Sequence, residues 1–377
     1  MQPQFGLRRQ IMELEPYAPG LSVDEIRQKY GLTRIIKMAS NENPLGISPL
    51  AAEAIRRHAT GAFRYPRGGN PRLVGALAAA HGVDAARIVT GNGSDEIIDL
   101  LIRILAEPGR HSIACFAPCF SIYPIQARIA GIDVLRTPLE NDFSFNFPAL
   151  LDAVTPLTRL VFVTSPDNPS GFCPARSDMA DLAARLAQRA PECLLLIDEA
   201  YMDFATDEKD FSLLASGRLP ENVAIIRTFS KSYGLAGLRL GYGILPPLIA
   251  DGFRRARLPF SVNILAEEAG LAALADHAFR EASLKAVRQG RAALADGLVR
   301  LGCSVWPSEA NFLLFRTPGP ESAKRCFEAL LARGIIIRRL QSYGLPEHLR
   351  VSVGNEEENK VFLNAMADIL NEFDDAV

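Results

Sequence analysis

The sequence predicts an α/β fold: a large domain with a mostly parallel sheet between helices, joined to a smaller α+β domain. Three observations carry this expectation. From ARIVTG onward, short apolar runs alternate with helical segments. Several of those runs (SIACF, RLVFVT, CLLLID, VAIIRT) are apolar at successive positions and end where polar residues begin, the pattern of strands buried on both faces. After about Pro259 the texture shifts to long alanine-rich helices followed by short strands. At 377 residues the chain is long enough to fill two such domains.

Taken in order, residues 1–34 read as an arm. LEPYAPGLS holds two prolines and a glycine, and SVDEIRQKYGL is a short helix with Ser22 as its N-cap and Gly31 at its end. IIKMASNENPLG is a strand running into a loop at Asn41–Pro44. SPLAAEAIRRHA is helical, a serine cap preceding a proline. The FRYPRGGNP loop leads to the helix NPRLVGALAAAHG. Strand and helix then pair: ARIVTG with GSDEIIDLLIRIL, and SIACF with SIYPIQARIAG. IDVLRTPL is a further strand, RLVFVTSPDNPSG a strand and turn, and SDMADLAARLAQRA a helix. CLLLIDEAY, VAIIRTFSK and GLRLGYGIL complete the sheet, so the large domain covers 35–258. The remainder, 259–377, holds long alanine-rich helices in LAEEAGLAALADHAFREASLKAVRQGRAALADGLVRLG, then SVWPSEANFLLFRT, the helix ESAKRCFEALLARG, IIIRRLQ, LRVSVGN and a closing helix.

Composition excludes several classes. A formal net charge of -2 and a pI near 6.3 leave no footprint for nucleic acid. The one dense basic run of the later half, FRRARLPF, reads as a solvated helix end. No segment approaches the roughly 18 apolar residues of a membrane span, and no apolar run follows Arg8 and Arg9 to suggest a signal peptide. The six cysteines lack paired short spacings, which points to reduced thiols and a cytoplasmic protein. His111, Cys115 and Cys119 mimic metal ligands at helical spacing, but Pro118 and the strand-like SIACF spoil that geometry. No metal is expected.

The chemistry gathers behind the strands. In TGNGSDE, Gly93 and Ser94 sit at a turn opening into a helix, where free N–H groups and the helix dipole favour phosphate. Asp95 would repel a dianion and is read as a cap or a group orienting donors. Phe120 follows another strand and is placed to stack on a flat cofactor. Asn168 lies in the SPDNPSG turn. Asp198 closes a fully apolar strand, a costly place for an acid without a cation, and Tyr201 follows it. In RTFSKSYGLAGLRLGYG, Lys231 stands behind Thr228 and Ser230 and ahead of Arg239, among small residues that leave room for a bulky aldehyde.

Each of these has an ordinary structural reading as a turn, a cap, a core ring or a solvated lysine. A single ligand explains them together. A pyridinium ring requires a carboxylate at its nitrogen (Asp198), donors at its phenolate (Asn168, Tyr201) and a stacking ring (Phe120). A phosphate requires a cup (Gly93, Ser94, Ser230, Arg239), and an aldehyde requires an amine (Lys231). Those are the protein requirements of pyridoxal 5′-phosphate.

The chain also resembles the fold-type I pyridoxal-phosphate aminotransferases, most closely their histidinol-phosphate aminotransferase branch. The resemblance runs through SNENPLG, FRYPRGGNPRL, TGNGSDEIIDLL, SPDNPSG, IDEAY, RTFSKSYGLAGLRLGYG, SEANFLLFR, GIIIRR and YGLPEHLRVSVGNEEEN, nearly the whole length. It implies that Lys231, Asp198, Tyr201, Asn168 and Arg239 bind the cofactor. It further implies a homodimer in which Tyr65 reaches the phosphate in the partner's site. Ser165 and Ser170 depart from the family's more usual asparagine and threonine, while Asn168 is kept. For substrate, Arg350 on a short strand suits a carboxylate or phosphate, and only one of Arg338 and Arg339 can share its face. The resemblance selects Arg338, with Tyr17 of the arm and Asn43 as further substrate contacts. Two arginines suit the phosphate dianion of histidinol phosphate, and glutamate, the amino donor regenerated from 2-oxoglutarate, can reuse Arg350. The alternatives are a threonine-phosphate decarboxylase and an aromatic or broad amino-acid aminotransferase.

Overall fold

The computed structural model describes residues 6–14, 23–318 and 322–374. Tyr17 and the expected cap Ser22 lie outside the described residues. The first strand, β1 (Ile36–Lys37), precedes seven that form the central sheet: β2 (Ile88–Asn92), β3 (Ser112–Ala117), β4 (Asp133–Pro138), β5 (Thr158–Thr164), β6 (Leu194–Asp198), β7 (Val223–Thr228) and β8 (Leu240–Ile244). Their spatial order is β2-β8-β7-β6-β5-β3-β4. All neighbours run parallel except β8, which is antiparallel to both β2 and β7. The mostly parallel expectation holds, and GLRLGYGIL is the strand that reverses.

Burial explains the sheet. Every residue of β6 and β7 is buried, so neither strand alternates. One apolar cluster, including Leu195, Ile197 and Ile225, covers one face, and a second, including Leu196, Ile226 and Ile98, covers the other. The helix Ser94–Leu105 supplies the latter face with Ile97, Ile98 and Leu101. Pro49–His58 begins as the sequence predicts, with the Ser48 hydroxyl accepting from the Ala51 amide at 3.2 Å and proline in the first turn.

The second body is built on a four-stranded sheet of β9 (Ser304–Val305) and β10 (Phe312–Arg316) with two later strands. Next in the chain, β11 (Ile335–Ile336) instead pairs in parallel with β1. The sheet is then completed by β12 (Arg338–Leu340) and β13 (Leu345–Ser352), both antiparallel pairings. Two segments pack across the expected 35–258 and 259–377 division. Ile36 and Met38 join the apolar cluster of the smaller body, whereas Ala266, Ala269 and Ala273 of helix Ile264–Ala275 join that of the larger. The alanine-rich stretch breaks at Asp276, whose side chain caps the following helix, His277–Arg300, by accepting from the Phe279 amide. Alanine content alone does not say where the break falls. No described helix is long and apolar enough to cross a membrane, and no described group of three His, Cys, Asp or Glu side chains is arranged for a metal. Cys115 is buried, with the Cys119 sulfur 3.8 Å away.

Candidate active site

At the carboxyl ends of β5 and β6, Thr164 and Asp198 lie side by side; β7 runs on past Ile226, the partner of Asp198, to Thr228, and Lys231 follows three residues later. The turn between them is held locally: the Thr228 hydroxyl accepts from the Ser230 amide at 3.0 Å and donates to the Ser230 hydroxyl at 2.9 Å. It is also held from outside. The Asn43 amide nitrogen lies 3.2 and 2.9 Å from the Lys231 and Ser232 carbonyl oxygens and 2.6 Å from the Ser283 hydroxyl. Ser232 donates to Asp203, which pairs with Arg280 at 2.7 Å.

The Lys231 ammonium nitrogen reaches the Ser40 carbonyl at 3.2 Å. Burial, then the positive charges of Arg350 and Arg239, pull its pKa down to about 8. This sets an expected pH dependence. Reductive labelling of Lys231 by a small aldehyde should climb about tenfold per pH unit below 8 and level off above it, because only the neutral amine reacts. Mass mapping of the labelled peptide checks it; a profile still climbing at pH 10 would show an ordinary solvated lysine.

Asp198 is buried at 3% exposure. Its two oxygens accept from the Tyr123 hydroxyl at 2.8 Å and the Ala200 amide at 3.1 Å. Burial raises its pKa to about 6, opposed by those hydrogen bonds, and no cation of the described residues offsets the burial. Beside it, the Tyr201 hydroxyl is approached by the amides of Asn41 at 3.1 Å and Asn168 at 3.5 Å. Burial moves that phenol up to about 12.

An anion cup opens at the start of helix Ser94–Leu105. Gly93 takes φ 78°, and a Cβ there would come within 2.6 Å of the Arg239 guanidinium. Gly241, on β8, is closer still: its Cβ would fall 2.4 Å from the Ser94 amide nitrogen. Asp95 accepts from Arg239 at 2.9 Å. Two adjoining cavities of about 140 and 130 Å³ share Phe120, Asn168, Tyr201 and Lys231. The first reaches Ser94, Ser230, Asp198 and Arg239; the second reaches Arg338, Tyr343 and Arg350. A larger cavity of about 810 Å³, between helices His277–Arg300 and Glu356–Asp374, contains none of the nominated residues.

The two arginines of the second cavity are directly opposed in the β12–β13 register, Arg338 against Arg350, and therefore share a face; Arg339 faces Leu349 on the other. Like charges set opposite each other are unfavourable until an anion lies between them. Arg350 is buried. It donates to the Asn168 side-chain oxygen, Oδ1, and to the Ala39 backbone carbonyl at 3.1 Å, and its Nε is buried without a hydrogen-bond partner.

Most nominated residues thus line one continuous site. Asn43 does not: its amide is spent on the lysine turn and on Ser283, so a substrate contact there is corrected to a brace on the backbone. Tyr65 is 81% exposed, its ring 4.9 Å from that of Phe260, and lines neither cavity of the single chain. Tyr123, Thr164, Asn41 and Tyr343 were missed as site residues. Tyr123 carried a weak signal, three residues beyond Phe120, but its partner Asp198 is 75 positions away.

The model of aminotransferase class I and II matches residues 33–366. The chain belongs to the class I and II aminotransferase family. Among relatives of this aminotransferase, the histidinol-phosphate aminotransferase of Nitratidesulfovibrio vulgaris Hildenborough is 56% identical over 97% of this chain and 96% of its own. That of Shouchella clausii is 40% identical over 97% of each. The solved histidinol-phosphate aminotransferase of Sinorhizobium meliloti, in complex with pyridoxal-5′-phosphate, superposes with a TM-score of 0.89 at 25% identity, covering 99% of both chains.

Proposed function

We propose that this aminotransferase, with pyridoxal 5′-phosphate as cofactor, converts L-histidinol phosphate and 2-oxoglutarate into imidazole acetol phosphate and L-glutamate in the cytoplasm. The opposed Arg338–Arg350 pair beside Lys231 carries the substrate assignment. A phosphate dianion is matched by two guanidinium groups, and the unpartnered Nε of Arg350 is a buried donor awaiting an acceptor. The carboxylate of glutamate can use Arg350 alone.

The residues present fit the cofactor. Asp198 is a buried acid with hydrogen bonds but no cation, which a protonated ring nitrogen would supply. The space above Ser94, kept open by the absent side chains of Gly93 and Gly241, suits a phosphate at a helix N-terminus. When bound, the cofactor supplies an electron sink for the substrate carbon that loses its proton. Around it Tyr201 and Asn168 orient the phenolate oxygen, and Ser94, Ser230 and Arg239 hold the phosphate. Lys231, its pKa drawn down to about 8, anchors the aldehyde and carries the proton to and from the substrate carbon as general base and acid.

The test is to titrate the purified holoenzyme first with histidinol phosphate, then with 2-oxoglutarate, following the visible spectrum and the products. The expected result is a spectral change reversed by the oxoacid, with glutamate formed. Carbon dioxide release from threonine phosphate, or phenylalanine turnover as fast as histidinol phosphate, would replace this substrate by one of the two rivals.

The active form is proposed to be a homodimer. Tyr65 and Phe63, 79% exposed, lie on one loop with basic Arg64 and Arg67, whose charge suits another chain's anion cup. Tyr65→Ala is expected to weaken cofactor affinity about tenfold, the scale of a hydrogen bond to a charged group, without splitting the dimer in sedimentation. A fully active monomer would refute the assignment.

A further inference from the structure

We infer that Tyr123 is a positioning residue for the proton on the cofactor's ring nitrogen, acting through Asp198; this rests on the reading of the site proposed above. The Tyr123 hydroxyl lies 2.8 Å from Asp198 Oδ2 and 2.7 Å from the Thr164 hydroxyl, and all three residues are buried. Its ring is stacked on Phe162 at 4.6 Å and 16°, which fixes where the hydroxyl oxygen lies. Hydrogen-bond direction then follows from valence. An ionised Asp198 only accepts, so Tyr123 must donate its single proton to it, and Thr164 must donate to Tyr123.

The chain Thr164 to Tyr123 to Asp198 therefore points toward a carboxylate and favours that form over the carboxylic acid. The Ala200 amide does the same for the other oxygen. An ionised Asp198 keeps its proton on the ring nitrogen. The remaining groups work against this: Asp95 and Glu199 repel a charged Asp198, while Tyr201 and Cys119 are neutral neighbours. Tyr123 works against both carboxylates and the burial, and removing its hydroxyl leaves Oδ2 and the Thr164 hydroxyl buried without it.

The experiment compares apoenzyme affinities for pyridoxal 5′-phosphate and for its analogue with C–H in place of the ring nitrogen, in wild type, Tyr123→Phe and Thr164→Val. Wild type is expected to favour the natural cofactor, and Tyr123→Phe to narrow that preference about tenfold, equivalent to ~1.4 kcal/mol. Thr164→Val should narrow it less, because it acts one bond further away. Equal weakening toward both ligands in Tyr123→Phe would mean a packing role and overturn the inference. Should Tyr123→Phe fail to fold, Thr164→Val decides: a narrowed preference supports the inference and an unchanged one overturns it. A wild-type chain that binds both ligands equally removes the Asp198 assignment itself; one that binds neither removes the cofactor reading.

Discussion

Lys231→Ala is expected to fold, to retain some pyridoxal phosphate non-covalently, and to transaminate at least about 10⁴-fold more slowly. The loss is large because one side chain has two duties. It anchors the aldehyde and shuttles the proton, and no other described amine lines either cavity. The turn it leaves behind should persist, since the bonds from Asn43, Thr228 and Asp203 do not involve its ammonium group. Two measurements check this: single-turnover rates, and peptide mapping after borohydride treatment, which should fix cofactor to wild type at this position only. Turnover within tenfold of wild type would end the account of Lys231.

Asp198→Asn is expected to cost at least about 10²-fold in rate, the scale of removing one preorganised charge partner. Its effect on the apo chain should have the opposite sign. Burial raises the folded pKa of Asp198 to about 6, above its ordinary 3.8, so folding opposes its ionisation. The resulting penalty is fully present above pH 6 and fades as pH falls toward 4. Apo Asp198→Asn should therefore melt higher than wild type at pH 7, with the gain shrinking through that window. A variant equally active, or a melting gain independent of pH, would show that Asp198 is not the buried acid described.

The large sheet was legible because its central strands are largely apolar and stop at polar residues, which marks both the strands and the edge where the site forms. The direction of GLRLGYGIL was not legible, because a fully buried strand has the same composition in either orientation. The crossing of Ile36 to the smaller body was equally hidden, since a two-residue pairing with Ile335 leaves no periodic trace. Within the site, residues that sit directly behind strands were found from their own segments. Asn43 was misread because its role is to hold two carbonyl oxygens 188 and 189 positions away, a relation no local pattern expresses. The choice between Arg338 and Arg339 needed strand parity, and the register supplied what parity alone left open.

Gly241 lines neither cavity, yet a methyl group on it would meet the Ser94 nitrogen at 2.4 Å and force β8 and the neighbouring helix apart. The width of the anion cup is thus set by an atom missing from the strand behind it. Mutagenesis confined to residues facing the cavity would pass over the position that governs its shape, and a redesign that kept every contact residue could still lose the site through one added carbon.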